Sequence, residues 1–329
     1  MEHLPYYSAN MYYRELFHEK IYKISLNAGL SCPNRDGLID TRGCIFCSAG
    51  GSGDFAADPM LDISSQLNSA VSQVASKYTG NSFIAYYQAY TNTYAPVRVL
   101  KHLYEPAVSN PAIVGISIAT RPDCLNDDVI ALLADINRIK PVWIELGLQT
   151  IDDNVADYIR RGYPLTVYES AVSRLCAAGI NFITHVIIGL PGISHNGHIE
   201  CARYLGRFHN QGVKLQLLHV LKGTDLATDY ESGRFNVMDQ DEYVQTVVDM
   251  IEVLPDDIVI HRITGDGPKN LLIAPMWSTD KKRVLNSINK EFRIRNTYQG
   301  KRYRDGGFIK VRNISLGYTF PKELISHLG

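Results

Sequence analysis

The chain has 329 residues, of which 45% are hydrophobic, enough for a large buried core in one or two domains. Its 33 Lys and Arg residues are balanced by 34 Asp and Glu residues, which excludes the overall basic excess of a small nucleic-acid-binding domain. No apolar run approaches a membrane span and no signal-peptide pattern is present, so we expect a cytoplasmic protein. Six cysteines in a chain this long do not indicate a disulfide framework, and in a reducing compartment they are thiols or metal ligands.

Short apolar runs alternate with amphipathic helical segments along most of the chain. Asp62 is a predicted cap for a helix that carries Leu67 and Val71 on one face, and Asp239 or Asp241 begins a later helix. The runs read as strands that are covered on both faces. The predicted strands are residues 20–27, 82–88, 114–119, 142–148, 182–189, 214–220 and 258–263. Strand–helix alternation repeated about six times predicts a parallel sheet with right-handed crossovers.

A partial barrel suits this pattern better than an open doubly wound sheet. No dinucleotide-binding fingerprint follows the first predicted strand, and residues capable of chemistry end many different strands, as they do at a barrel mouth. The repeats occupy residues 20–265 only. We therefore predict an α/β fold with a partial (βα)6 TIM-type barrel, preceded by an N-terminal extension over residues 1–19 and followed by a small C-terminal extension.

Three cysteines follow the first predicted strand, in a loop over residues 28–53. Cys32, Cys44 and Cys47 have the spacing C-x11-C-x2-C. Three thiolates are one too few for a closed Cys₄ site, so an iron–sulfur cluster with one iron open to a cofactor or substrate is one interpretation. The alternatives are a structural zinc site, with His or a remote Cys as fourth ligand, and unliganded thiols.

The sequence around these cysteines, KIYKISLNAGLSCPNRDGLIDTRGCIFCSAG, resembles the cluster loop of the radical S-adenosylmethionine (SAM) superfamily. In detail it is similar to the family that includes the YhcC and YtqA proteins, related to the Elongator-type radical SAM enzymes. The resemblance continues through ELGLQT, IRRGYP, HVIIGLPG and HRITGDGP and covers about residues 10–300. It implies that Cys32, Cys44 and Cys47 hold a [4Fe–4S] cluster whose open iron binds SAM. A reducing partner such as flavodoxin or ferredoxin then supplies an electron that cleaves SAM to methionine and a 5′-deoxyadenosyl radical.

The resemblance also implies which residues contact SAM. Phe46 is the aromatic expected near the adenine, and its alternative role is packing within the loop. Gln149 and Arg161 have the spacing of a Gln and an Arg that contact the ribose and the carboxylate, a role that suits the planar guanidinium. The alternative for Arg161 is a solvated helix face. Gly189 permits a close backbone approach, here to adenine.

One short sequence motif, after the second predicted strand, departs from the superfamily pattern. Tyr90 and Thr91 lie where a Gly-Gly-Glu word commonly contacts the methionyl amino group, so they are the candidates for that contact, with backbone carbonyls as the alternative. Several other polar residues end predicted strands and either face substrate or are core polar groups with partners. They are Arg121, Asp123, Glu145, His219, Lys222 and Asp266.

The composition changes after Pro275. A basic C-terminal subdomain is predicted over residues 266–304, and it carries nine basic residues against one acid from residue 281 onward. They are Lys281, Lys282, Arg283, Lys290, Arg293, Arg295, Lys301, Arg302 and Arg304. With interleaved aromatics, this segment has the residue types that contact phosphates and stack on bases, and its alternative is a solvated basic helix. Residues 305–329 form an atypical tail with period-two patterning that resembles an outer-membrane barrel strand. Either the tail adds an edge hairpin to this domain or it comes from a fused or misjoined reading frame, and we favour the latter; it is not evidence for a membrane location.

The Elongator-type relatives point to tRNA as substrate. The resemblance implies remodelling of the C5 side chain of a wobble uridine, for example removal of a carboxymethyl group from an aminomethyl substituent. Radical chemistry on a small metabolite or porphyrin is an alternative. A non-enzymatic RNA-binding module with a structural zinc is an alternative of another class.

Overall fold

A computed structural model describes residues 4–51, 56–75, 82–208, 211–265 and 267–299. The predicted tail over residues 305–329 lies outside the described residues, as do Asp266, Lys301, Arg302 and Arg304. Seven strands form one parallel sheet in the order β1-β2-β3-β4-β5-β6-β8. They are β1 (Tyr22–Leu26), β2 (Phe83–Tyr87), β3 (Ile113–Thr120), β4 (Val142–Gln149), β5 (Asn181–Ile188), β6 (Gln211–Leu217) and β8 (Val259–Arg262).

Every crossover between neighbouring strands carries at least one helix. The crossover helices are α2 (Ile63–Ala75), α3 (Val97–Ser109), α4 (Asp127–Asn137), α5 (Asp153–Tyr158), α6 (Leu165–Ala177), α7 (His195–Leu205), α8 (Asp225–Glu231) and α9 (Gln240–Val253). The sheet curls into a partial barrel, so the predicted architecture is confirmed. The first and last residues of each predicted strand lie within three residues of those of an observed strand. The predicted caps Asp62 and Asp239 also accept backbone N–H groups of their helices.

The alternation of side chains along each strand separates an apolar outer face from a mixed inner face. Outward residues such as Leu26, Ile118 and Leu146 pack beneath the helices in the main hydrophobic core. Inward residues form layers, as expected for a barrel interior. The lower layer is apolar and includes Ile84 and Trp143. The layer above it is polar and comprises Lys23, Tyr86, Ser117, Glu145, His185 and Lys214.

The two ends of the described chain cover the barrel. Helix α1 (Ala9–Phe17) lies under the lower layer, where Tyr12, Tyr13 and Phe17 contact the ring of Trp143. A two-stranded antiparallel sheet, β7 (Val220–Leu221) and β9 (Leu272–Ala274), follows the last barrel strands. Helix α10 (Lys281–Gln299) then packs on α9.

Helix α10 has an apolar face and a basic face. Val284, Ile288 and Phe292 are buried in the main core at helical spacing. Lys282 and Lys290 are exposed on the opposite side.

The boundaries proposed for the N-terminal extension and the C-terminal subdomain stay predictions. Within the described residues, no helix combines the length and the apolar character needed to cross a bilayer.

Candidate active site

Two polar side chains hold the cluster loop in place: Asn34 joins it to the barrel mouth, and Arg35 joins two parts of the loop to each other. The Asn34 amide donates to the carbonyl of Arg160 at 2.7 Å and lies 3.5 Å from Sγ of Cys44. The Arg35 guanidinium donates to the carbonyls of Cys47, at 3.0 Å, and Ser48, at 2.6 Å. Because both contacts are with atoms beside the cysteines, they hold the loop in the conformation that presents its thiols.

The three cysteines open into one cavity of about 210 Å³ at the carboxyl ends of the strands. Backbone hydrogen bonds shape the loop locally, from Cys47 N–H to the Cys44 carbonyl at 3.0 Å and from Arg35 N–H to the Cys32 carbonyl at 2.8 Å. Burial, together with the neighbouring Cys47, raises the pKa of the Cys44 thiol to about 12. A thiolate at Cys44 therefore requires a positive centre beside it, which a bound metal supplies.

Tyr90 and Thr91 both line this cavity, on the side of β2. Tyr90 has a left-handed backbone with φ of 58°, and its hydroxyl donates to the Ala49 carbonyl at 2.5 Å. Its ring lies so close to Gly51 that a Cβ there would approach Tyr90 Cε1 to 2.2 Å, which explains a glycine at that position. Thr91 is buried, and its N–H donates to the Ser31 carbonyl at 3.3 Å. Both residues thus support the cluster loop as well as face the cavity.

Gln149 and Arg161 also line the cavity, on the side of β4. Gln149 has φ of 64°, and its amide nitrogen lies 2.9 and 3.0 Å from the carbonyl oxygens of Gly147 and Leu148. Arg161 is only 1% exposed. Arg161 is therefore not on a solvated helix face.

The Arg161 guanidinium is largely engaged by the protein itself. Its Nε donates to the Tyr163 carbonyl at 2.9 Å, and its Nη1 donates to the carbonyls of Leu148, at 3.1 Å, and Thr150, at 2.6 Å. Its Nη2 lies 2.8 Å from Asp153 Oδ1. These bonds leave one of its five N–H groups for a ligand, so Arg161 shapes the β4–α5 turn whether or not it also contacts one.

Phe46 and Gly189 occupy different positions at the mouth. Phe46 lines the cavity and packs against the satellite apolar cluster around Ile45 and Leu190. Gly189 ends β5 with φ of 89°, and its N–H donates to His198 Nε2 at 3.2 Å. Gly189 lies outside the lining of this cavity, whereas the other eight predicted site residues belong to it.

The floor of the cavity is an ion cluster centred on Glu145. One carboxylate oxygen accepts from Lys23 at 2.8 Å and from Ser117 at 2.6 Å. The other contacts His185 Nε2 at 2.7 Å and the Lys214 ammonium. Burial raises the pKa of the Glu145 carboxyl, but Lys214 and Lys23 outweigh it and hold that pKa well below its ordinary value. Glu145 is therefore an anion in the interior.

The donor set fits an iron–sulfur cluster. Three soft thiol ligands on one loop are the set that leaves one iron of a cluster open. Across the described parts of the chain, no three His, Cys, Asp or Glu side chains converge as a single metal ion requires. A mononuclear zinc site would need its sulfur atoms all about 2.3 Å from one point.

Family models place this fold and site in a known class. Residues 41–205 match the radical SAM superfamily, and residues 210–293 match the radical SAM C-terminal domain. The chain therefore belongs to the radical SAM superfamily and is an enzyme of that class, as the resemblance of its cysteine loop implied.

Individual relatives support the same assignment. The chain is 45% identical to the Bacillus subtilis protein YtqA over 90% of its own length and 92% of that protein. It is 27% identical to the tRNA uridine(34) acetyltransferase of Dehalococcoides mccartyi, over 64% of this chain and 48% of that protein. Among solved structures, the Elp3 protein of the archaeon Methanocaldococcus infernus has the same fold, with a TM-score of 0.63 at 16% identity over 83% of this chain and 63% of that chain.

Several site residues were missing from the sequence prediction. Lys23, His185 and Lys214 lie within apolar strand runs, and only Glu145 of the floor was a candidate. The available signal was a charged residue at an inward position of a covered strand, since such a residue needs a partner across the barrel. Asn34 and Arg35 belong to the CPNRDG word but had no assigned role.

Proposed function

We propose that this chain is a radical SAM enzyme that acts in the cytoplasm on the C5 side chain of a wobble uridine in tRNA. In this proposal Cys32, Cys44 and Cys47 hold a [4Fe–4S] cluster, and a flavodoxin or ferredoxin reduces it. The observation that carries the proposal is that these three thiols open into the same cavity as Gln149 and Arg161, at the mouth of the barrel. When bound, the cluster and SAM supply the reductive C–S cleavage that yields the 5′-deoxyadenosyl radical.

In this proposal the chain's own residues bind SAM and orient it. Phe46 offers an apolar surface for adenine, and Gln149 offers an amide to the ribose. The remaining Arg161 N–H donates to the SAM carboxylate, and Tyr90 and Thr91 line the side toward its amino group. Gly189 bounds the mouth from β5, where a backbone approach to adenine requires no side chain. The barrel wall excludes water from the reacting atoms, which protects a radical from side reactions.

The tRNA part of the proposal has two supports. One is the name of a relative, a tRNA uridine(34) acetyltransferase, which is 27% identical over 64% of this chain. The other is the exposed basic face of α10, since Lys282, Arg283 and Lys290 line one open groove on it. Cations on one helix face suit contacts with backbone phosphates. Arg295 is not available for that role, because it pairs with Asp249 and Glu252 across α9 and α10.

The chemistry is tested by anaerobic reconstitution. We expect about four irons per chain and formation of 5′-deoxyadenosine from SAM under reduction. The Cys44→Ala variant should lose both, while Cys176→Ala, on α6 and remote from the loop in sequence, should keep both. A colourless protein with one zinc and no SAM cleavage would overturn the proposal in favour of a zinc-containing RNA-binding module.

The substrate is tested by mass spectrometry of tRNA nucleosides from cells with and without the gene. We expect a wobble-uridine derivative to accumulate in its unprocessed form when the gene is absent. An unchanged profile, together with SAM cleavage in vitro, would move the substrate to the small-molecule class.

Binding of tRNA is tested by charge reversal on α10. The Lys282→Glu/Lys290→Glu variant should weaken tRNA binding and lower the slope of log K against log salt by about 2, or roughly 0.9 for each phosphate that the variant no longer neutralises. The matched control is Arg98→Glu/Lys101→Glu, which reverses two exposed charges on α3. Equal reductions in affinity for the two variants would mean that α10 has no specific role in tRNA binding.

A further inference from the structure

Two lysines share the Glu145 carboxylate but differ in what else they face. Lys23 Nζ contacts Glu145 Oε1 at 2.8 Å and Ser117 Oγ at 3.2 Å. Lys214 Nζ contacts the other carboxylate oxygen, and Tyr86 OH at 3.4 Å. Lys214 lines the cavity under the cluster loop, whereas Lys23 lies outside its lining. The pair is thus a natural comparison between an interior structural cation and one that reaches the site.

Lys214 has more donors than the protein satisfies. An ammonium carries three N–H groups, and the described residues provide Nζ with two hydrogen-bond acceptors, Glu145 and the Tyr86 hydroxyl, and with the face of the Tyr86 ring at 4.6 Å. Because Lys214 also lines the cavity, an acceptor that enters the cavity can reach its remaining N–H group. A buried donor without an acceptor is costly, and such groups occur where a ligand completes them.

Glu145 has hydrogen-bond donors besides Lys214, although the charge of Lys214 contributes most to keeping its pKa low. Lys23, Ser117 and His185 already donate to its two oxygens. Burying a further ammonium beside them costs desolvation that a structural role alone does not recover. This asymmetry separates Lys214 from the rest of the floor.

We propose that Lys214 is a substrate-contacting residue, whose ammonium donates a hydrogen bond to an oxygen acceptor of the substrate at the floor of the cavity. The proposal rests on the proposed function, because it requires a substrate bound beneath SAM in this barrel. A nucleobase carbonyl and an oxygen of its C5 substituent are the two sources of such an acceptor. Either one would fix the orientation of the hydrogen that the radical removes.

The electrostatics of the floor agree with a ligand-dependent cation. Burial lowers the pKa of the Lys214 ammonium to about 7, Glu145 opposes that change, and Lys23 and Arg262 reinforce it. An oxygen acceptor that enters the cavity favours the charged form and raises this pKa. The groups around Lys214 are Glu145 on β4, Lys23 on β1, Tyr86 on β2, His185 on β5, and His261 and Arg262 on β8.

The experiment compares Lys214→Met with Lys101→Met, an exposed position on α3, in the reconstituted full chain, with a wobble-uridine anticodon stem-loop as substrate. We expect Lys214→Met to keep SAM cleavage in the absence of RNA and to lose modified product by roughly 10- to 100-fold, the value of one hydrogen bond to a charged group. Lys101→Met should retain product formation within about threefold, since Lys101 is exposed and lies outside the cavity lining. Product formation by the parent enzyme should decline as pH rises through Lys214's pKa, and Lys214→Arg should move that decline to higher pH.

Stem-loops with and without a C5 substituent distinguish the two acceptors. A Lys214→Met defect in affinity for both RNAs indicates a ring carbonyl, and a defect for the substituted RNA alone indicates the substituent. Equal losses of product in the two Met variants, or full activity of Lys214→Met, would overturn the proposal. Absence of SAM cleavage in the parent chain would instead refute the proposed function.

Discussion

Arg161 offers a direct test of how the site is built, through the Arg161→Met variant. The substitution keeps an unbranched chain but removes the guanidinium that donates to the carbonyls of Leu148, Thr150 and Tyr163 and that pairs with Asp153. Of these carbonyls, that of Leu148 keeps the Thr150 N–H as a donor. Each unsatisfied buried acceptor costs about 1–3 kcal/mol, whereas losing the ion pair with Asp153, whose side chain is 52% exposed, costs about 1 kcal/mol at most. Because the three carbonyls relax together, we expect a loss of about 3–5 kcal/mol in the free energy of unfolding.

Urea unfolding followed by circular dichroism measures this loss as a shift of the midpoint at constant slope. Arg160→Met is the matched control, since the neighbouring arginine side chain is 19% exposed and contacts Asp225 and the Gly43 carbonyl. It should lose about 1 kcal/mol. If the free energy of unfolding of Arg161→Met lay within about 1 kcal/mol of that of the parent, this result would refute the view that Arg161 organises the β4–α5 turn. Its ligand role would then account for its burial.

Three further predictions concern other parts of the molecule. Cys47→Ser should lower iron incorporation and abolish SAM cleavage, while the control Cys176→Ser, on α6, should leave both unchanged. Iron analysis measures the first property and 5′-deoxyadenosine formation the second, and equal iron content in the two variants would contradict the assignment of Cys47 as a ligand. Burial, aided by Lys214, lowers the pKa of His185 to about 4, so its contribution to stability is present above its unfolded pKa near 6.5 and is lost as pH falls toward 4. This amounts to about 3 kcal/mol at most, and His185→Gln should flatten the acid limb of stability against pH; an unaltered limb would assign it to other groups. Ile288→Ala, at a fully buried position of α10, should destabilise the protein by about 2–5 kcal/mol and weaken tRNA binding. Ile294→Ala, at an exposed position of the same helix, should change stability by less than about 0.5 kcal/mol. Thermal melts measure the stability of the two variants, and titrations with tRNA measure their binding.

The strand assignments show what sequence patterns convey reliably. Apolar runs of six to eight residues bounded by turn formers predicted all seven barrel strands, because strands covered on both faces are mostly apolar along their length. The same property hides the inward face. Lys23, His185 and Lys214 interrupt such runs singly, and nothing in one strand indicates which residue on another strand completes a cation's hydrogen bonds.

Neighbouring arginines illustrate the same limit at the site. Arg160 and Arg161 are adjacent in IRRGYP, yet the second is 1% exposed and the first lies against the cluster loop. The backbone of Arg160 is left-handed, with φ of 54°, and this turn directs the two side chains apart. On α10, Arg295 belongs to the predicted basic segment but points toward Asp249 on α9. A count of charges along a helix does not contain that contact.

The strand periodicity by itself determined the fold class, and the cysteine spacing indicated a metal or iron–sulfur site. The class of enzyme followed from the resemblance of the cysteine loop to the radical SAM superfamily. Which residues share the cavity with those thiols depended on the tertiary structure. Curling of the sheet brings β1, β4 and β6 around one interior, so that Lys23 and Lys214 meet Glu145 from positions 122 and 69 residues away in the chain. Contacts over such separations follow from the closure of the barrel and not from any local pattern.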